Sequence, residues 1–322
     1  MSFNFTFFFC ERFMSRYAPE KLELASRDVV SRAIVDEIEQ GRGFKDERSG
    51  YDYVELDLTK IGAAKVKERL AGIREIAMKF RGIDPVERPL PVRPVCHYMM
   101  GGLDVDIDGA TAIKGLWAAG EAACVSINGA NRLGANSTAE CLVWGRITGS
   151  EAALYATARN PVAVPREAIL QEEKRIFDGI FHGRGGTNPY DVRDSVQKAM
   201  DGGAFVYRTG EGLSEAIKAI AALRDSDFLH CDDQSRRYNT NLTNVLEVDS
   251  MLMAAEAILR SAHARTESRG AHARRDFPKR DDVGWLKHSL AFYSDEKVEG
   301  GHVRLGYSPV RITRYQPAER HY

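Results

Sequence analysis

At 322 residues the chain is long enough for two domains, at roughly 150 residues each. A hydrophobic content of 43% with 28% charged residues is ordinary for a globular protein, and a net charge of −1 excludes the basic footprint of a nucleic-acid binder. Five cysteines (Cys10, Cys96, Cys124, Cys141, Cys231) have neither metal-ligand spacing nor the density of a small disulfide scaffold, so the reading is reduced thiols, no metal and a cytoplasmic setting.

Residues 1–10, Met-Ser-Phe-Asn-Phe-Thr-Phe-Phe-Phe-Cys, are apolar but lack a basic lead and end at Glu11-Arg12, which argues against a signal peptide. They also fall short of the ~20 apolar residues of a membrane span. They read either as a strand of the first domain or as the scar of a truncated gene, and the scar is preferred. Leu24, Val29, Val30, Ala33, Ile34 and Ile38 recur at helical spacing, which predicts a helix over 20–40 stopped by Gly41. Residues 51–58 alternate like a half-buried strand, 62–80 return to helix, and the prolines of 85–94 mark an extended crossing. From 96 the sequence predicts a turn at Gly101-Gly102, a strand pair near Val105–Ile107 and Ile113–Ala118, a loop, and a helix from Ser137. After a linker at 156–166, helices are expected over 165–181, 189–202, 211–225 and 240–264. The last should bury Leu246, Met251, Met253, Ala254, Ala257 and Ile258. The tail is basic over 269–280, a solvated surface or a partner contact. It then alternates around Val303–Leu305 and Val310–Ile312 like a small β-containing cap. The fold class is α+β.

Residues 115–146 concentrate the chemistry. A short apolar run ends in Gly120-Glu121, a loop rich in Gly, Asn and Ser carries Arg132, and Ser137 followed by Glu140 is a capping-box pattern. A strand that delivers a carboxylate, a loop with free backbone donors and a helix N-terminus suit a cofactor bearing ribose and ring oxygens. Gly134, Ala135 and Asn136 are small enough for a planar ring to approach. An ordinary junction with Glu121 and Arg132 paired on the surface fits the same pattern.

Gly-Glu-Ala-Ala-Cys-Val-Ser (120–126) with Gly-Ala-Asn-Arg-Leu-Gly-Ala-Asn-Ser (129–137) resembles the flavin-binding return segment of succinate dehydrogenase and fumarate reductase flavoprotein subunits. The likeness continues in Glu-Arg-Phe-Met-Ser-Arg-Tyr-Ala-Pro (11–19), Leu-Ala-Ser-Arg-Asp-Val-Val-Ser-Arg-Ala (24–33) and His-Tyr-Met-Met-Gly-Gly (97–102). Further on it includes Arg-Thr-Glu-Ser-Arg-Gly-Ala-His (265–272), Arg-Asp-Asp-Val-Gly-Trp-Leu-Lys-His (280–288) and Pro-Ala-Glu-Arg-His-Tyr (317–322). The family opens with a Gly-x-Gly-x-x-Gly turn that holds the FAD pyrophosphate, and no such turn opens this sequence. The resemblance is therefore to the C-terminal half of the flavoprotein. It implies the remaining part of a capping domain at 1–95, the C-terminal segment of an FAD-binding domain at 96–155, a helical domain at 156–268 and a small C-terminal domain at 269–322.

The same resemblance implies FAD bound by Glu121, Asn136, Ser137 and Thr138, and a dicarboxylate (succinate or fumarate) clamped by His97 and Arg132. Arg27 takes the place of the proton-relaying arginine. Guanidinium stays protonated to about pH 12, so such a residue works only by giving and regaining a proton within one site. Arg27–Asp28 as a local ion pair, His97 as a buried structural histidine and Arg132 as a structural loop residue are the plainer alternatives. Two positions depart from the family, Asn128 where relatives carry His and Thr138 where Leu is frequent. The implied partners are an iron–sulfur subunit and, only through partner subunits, the inner face of a membrane. L-Aspartate oxidase shares the Arg-Asp-Val-Val and Gly-Ala-Asn-Arg motifs, but the Arg-Asp-Asp-x-x-Trp-Leu-Lys-His run favours succinate dehydrogenase. A catalytically silent remnant is the alternative outside enzymology.

Overall fold

The structure, a computed structural model, describes residues 4–6, 11–47, 49–183, 186–226, 229–298 and 300–318; most of the Phe-rich start and the closing Glu319–Tyr322 lie outside the described residues. The chain divides into two compact units, Met1–Cys96 with Gln316–Tyr322, and His97–Tyr315.

In the first unit, β1 (Asn4–Thr6), β2 (Phe44–Lys45) and β4 (Leu90–Val92) all pair antiparallel with β3 (Asp52–Asp57). Asn4–Thr6 is thus a strand against Asp57–Glu55, and the strand reading of the Phe-rich start holds where the structure describes it. Helices α1 (Met14–Tyr17) and α2 (Arg27–Glu39) bury Phe13, Met14, Ala33 and Ile34 together with Val54 of β3. Leu24, expected on the α2 face, sits in a 3-10 turn ahead of the helix and is exposed. Glu37 is fully buried on α2. Burial alone would raise its pKa, but hydrogen bonds from Arg42, Tyr17 and Arg16 hold it down at about 2.

The helix expected over 62–80 breaks into α3 (Ala63–Arg69) and α4 (Ala71–Arg81). Leu70 leaves helical geometry between them and packs against the cluster of Leu58, Ala77 and Leu90, so burial of one side chain outweighs continuity of the helix.

The second unit begins with a two-stranded parallel pair, β5 (Leu103–Asp104) and β6 (Ala123–Cys124). The strand pair expected near 105–118 reduces to the isolated bridges Val105↔Thr111 and Ala110↔Trp117. The reason is local competition for backbone donors. The Asp106 carboxylate accepts from the N–H groups of Asp108 and Ala110, and Thr111 Oγ1 donates to the Leu116 carbonyl.

Helix α5 (Asn136–Thr157) follows, then α6 (Arg166–Lys174), which runs into a π-helical turn, Arg175–Phe181. Helices α7 (Pro189–Ala204), α8 (Gly210–Arg224) and α9 (Thr240–Ala264) enclose a core of Val192, Val196, Leu213, Ile220, Leu252 and Leu259. The buried stripe of α9 is Val245, Val248, Leu252, Ala255, Leu259 and Ala262; of the expected face, Met251 packs against this core and Leu246, Ala257 and Ile258 are half-buried, while Met253 and Ala254 are exposed. Both stripes are apolar. The one spaced alternately three and four residues apart matches the grooves of α7 and α8 and takes the core.

The second unit ends in the antiparallel hairpin of β7 (Lys287–Val298) and β8 (Gly301–Pro309). Val310–Ile312, expected as a strand, lies beyond β8 without regular structure. Buried Glu256 of α9 ties the hairpin down, accepting from the N–H groups of His302 and Val303 and from Arg224 and Arg260. No helix among the described residues is long and apolar enough to cross a membrane.

Candidate functional site

The residues that carry the site stand on the loop between β6 and α5 and on the strap His97–Met100 that runs beside it. Helix α5 begins one residue before Ser137, and no side chain caps it: Ala135, at the cap, takes a left-handed conformation (φ 66°). The capping box is therefore a correction. Glu140 turns inward, is 2% exposed, and accepts from the Tyr98 hydroxyl at 2.7 Å and the Asn128 amide at 2.8 Å. A buried carboxylate draws nearby donors, and these two reach it from inside the fold. The backbone N–H groups of Ser137 and Thr138 have no hydrogen-bond partner among the described residues. They face out along the helix axis as a patch of partial positive charge.

Arg132 occupies the middle of the loop. Its backbone N–H donates to Met100 Sδ, its Nη1 donates to the Leu133 carbonyl at 2.8 Å, and its guanidinium lies 4.6 Å from the centre of the Tyr98 ring. Its buried Nε has no partner. The Nε–Nη2 edge is thus uncommitted among the described residues, and this planar fork matches the two oxygens of a carboxylate. Glu121 does not pair with Arg132, contrary to the surface-pair alternative. Glu121 Oε1 instead accepts from the Met99 N–H at 2.8 Å and holds the strap beside the loop. Burial, then the hydrogen bond to Glu140, pushes the Tyr98 phenol up to about 12, so Tyr98 remains a donor at neutral pH.

His97, next to Tyr98 on the strap, is exposed and has no hydrogen-bond partner among the described residues, so the buried structural histidine is not what the fold provides. Asn136 is half-buried and Thr138 exposed. Arg27 belongs to the first unit and is exposed at the start of α2. Asp28 pairs with Arg32 at 2.8 Å and accepts from Ser26, so the Arg27–Asp28 pair is not formed. Among the described residues there is no cluster of side chains fit for a metal.

Sequence reasoning missed Tyr98 and Met100, and gave Glu140 a capping role that it does not have. The signal for Tyr98 was its place inside the His-Tyr-Met-Met-Gly-Gly run. That for Glu140 was a carboxylate set between small and apolar residues (Ala139, Cys141, Leu142, Val143) near the head of the helix.

Two contacts from the C-terminal part reach the same loop. Ser126, itself at positive φ, lies 3.2 Å from His288 Nε2. The Ala271 N–H donates to the Ala130 carbonyl at 2.9 Å, and Gly270 (φ 59°) passes so close that a Cβ there would fall 2.4 Å from that oxygen. Behind this turn, fully buried Glu267 takes Arg265 at 2.6 Å and Arg269 at 2.8 Å. Arg269 and Arg280 also pair with Asp282, and Arg274 with Asp276, so much of the basic run 269–280 is neutralised within the fold. His272 accepts from Arg208 and donates to the Arg265 carbonyl; burial, then the nearby Arg208 charge, lowers its pKa to about 4.

Two family models match, a C-terminal region described as fumarate reductase flavoprotein at residues 193–322 and an FAD binding domain at residues 10–138. The chain belongs to the fumarate reductase and succinate dehydrogenase flavoprotein family. It is 44% identical over 308 residues to the fumarate reductase flavoprotein subunit of Mycobacterium tuberculosis, covering 94% of this chain and 52% of that one. It is 40% identical over 314 residues to the succinate dehydrogenase flavoprotein subunit of Rickettsia felis, with coverage of 94% and 52%. A chain of E. coli quinol fumarate reductase superposes with a TM-score of 0.88 at 38% identity, covering 98% of this chain and 56% of the other. The chain spans about half the length of the curated relatives it matches.

Proposed function

We propose that this chain forms the substrate-facing and flavin-ring-facing part of an FAD-dependent flavoprotein that interconverts succinate and fumarate. The observation that carries the reading is the uncommitted Nε–Nη2 edge of Arg132, held over Tyr98 beside the unpartnered N–H groups that open α5. Those donors fit the electron-rich edge of a flavin ring, and the left-handed Ala135 leaves the helix end without a competing side-chain cap. FAD would be held by Glu121, Asn136, Ser137 and Thr138, and when bound it supplies the two-electron acceptor for the CH–CH bond.

The protein's own residues do the rest. Arg132 and His97 clamp the two carboxylates. Arg27 passes a proton to or from the substrate carbon and regains it within the site. We place the remainder of a capping domain at 1–95, the end of the FAD-binding domain at 96–155, a helical domain at 156–268 and a small C-terminal domain at 269–322. Electrons leave for an iron–sulfur subunit, and the assembly lies peripherally at a membrane through its partners; the E. coli relative, a chain of quinol fumarate reductase, supports this reading.

Malonate, a dicarboxylate that does not react, tests the clamp directly. Calorimetry on the full chain, with FAD supplied in enough excess to fill even a weak site, should give binding that Arg132→Lys weakens at least about tenfold, because lysine keeps the charge and loses the fork. Equal affinity in the variant would make Arg132 a structural loop residue.

A further inference from the structure

We propose that Tyr98 and Glu140 are positioning residues that orient the Arg132 guanidinium while leaving its donor edge free; this rests on the reading of Arg132 as a carboxylate clamp. A clamping arginine has a physical difficulty before substrate arrives. Its most stable partner is a protein carboxylate, which would occupy the same fork and cancel the charge the substrate needs. The fold avoids this by separating charge from contact.

Glu140 supplies the negative charge but touches only the Tyr98 hydroxyl, at 2.7 Å, and the Asn128 amide, at 2.8 Å. No cation contacts it among the described residues. The Tyr98 hydroxyl binds that carboxylate, while the guanidinium lies over the face of the same ring, 4.6 Å from its centre. A ring face attracts a cation without consuming any N–H, and a hydroxyl that donates to a carboxylate pushes electron density into the ring and strengthens that attraction. Two further contacts fix the rest of the residue, the Arg132 N–H to Met100 Sδ and Nη1 to the Leu133 carbonyl. Neither uses Nε, which is buried and unpartnered. Leaving a buried donor unmet is costly, so Nε gains from a carboxylate that displaces what covers it, with Nη2 completing the fork.

The test uses the full chain, its Arg132 Nε–H resonance and malonate affinity in the presence of FAD. In the unaltered chain the Nε–H signal should be resolved and moved upfield by the Tyr98 ring. Tyr98→Leu should return it to the position of exposed arginines, and Tyr98→Phe and Glu140→Gln should move it part of the way. Tyr98→Phe and Glu140→Gln should each weaken malonate binding about five- to tenfold, and neither should weaken it further in an Arg132→Ala background. That non-additivity separates orientation of Arg132 from general damage to the loop. If Glu140→Gln does not fold, Tyr98→Phe carries the comparison, since it keeps the ring and removes one oxygen. An Arg132 signal unmoved by the variants, or losses that add to that of Arg132→Ala, would overturn the positioning role. Malonate bound by Arg132→Ala as tightly as by the unaltered chain would defeat the clamp reading itself, and the positioning role with it. Malonate lost in Arg132→Ala but kept in Tyr98→Phe and Glu140→Gln would defeat the positioning role alone.

Discussion

Replacing Gly270 by alanine should disturb the Arg132 loop from the opposite side, without touching any residue of the clamp. The added Cβ would lie 2.4 Å from the Ala130 oxygen, 2.6 Å from its carbonyl carbon and 3.0 Å from its Cβ. Carbon–oxygen contacts settle near 3.3 Å, so the turn or the loop must retreat by roughly 0.9 Å. That retreat stretches the Ala271 N–H to Ala130 hydrogen bond, now 2.9 Å. The left-handed backbone at Gly270 adds about 1–2 kcal/mol for any residue with a Cβ, and forced repacking adds about 1–3. The expected loss of stability is therefore about 2–5 kcal/mol. Gly300→Ala is the control: its φ is 78°, but a Cβ there meets nothing within 4 Å, so only the backbone strain of about 1–2 kcal/mol applies. Urea denaturation gives the difference between the two variants. Hydrogen exchange over residues 128–136 then locates it, with faster exchange expected in Gly270→Ala alone. Equal midpoints for the two variants, with unchanged exchange in the loop, would show that the close approach at Ala130 carries no energetic weight.

Glu267→Gln should cost about 3–5 kcal/mol, because a fully buried carboxylate shared by Arg265 and Arg269 loses its charge while the arginines keep theirs; a denaturation midpoint equal to that of the unaltered chain would refute this. His272 has a folded pKa of about 4 against about 6.5 for the unfolded chain, so it contributes stability above pH 6.5 that is lost as the pH falls towards 4. The contribution is of order 3 kcal/mol, and His272→Gln should flatten that part of the pH–stability curve. Glu37, held near 2, should lose its contribution at lower pH, between about 5 and 2, and Glu37→Gln should abolish that acid-side loss. Residues 1–322 alone should bind FAD weakly, since they contain no Gly-x-Gly-x-x-Gly cradle for the pyrophosphate; a stoichiometric yellow complex after purification would refute this.

Local patterns in the sequence were enough to locate the helices of the second unit, the strand at 51–58 and the loop that holds Arg132. Their signals are periodicity and small polar residues, which depend on near neighbours only. The family was legible for a similar reason, because its motifs are contiguous runs. What the sequence did not determine were choices made between distant segments. Two apolar stripes on α9 were equivalent until α7 and α8 selected the one headed by Val245 and Val248. Ser137 and Glu140 had the spacing of a capping box, but Tyr98 and Asn128, 42 and 12 residues away along the chain, claimed the carboxylate first. Only the tertiary structure turned Arg132 from a charged loop residue into a guanidinium with a free edge, since that edge exists because the Tyr98 ring, brought in by the strap, holds the cation without using its donors.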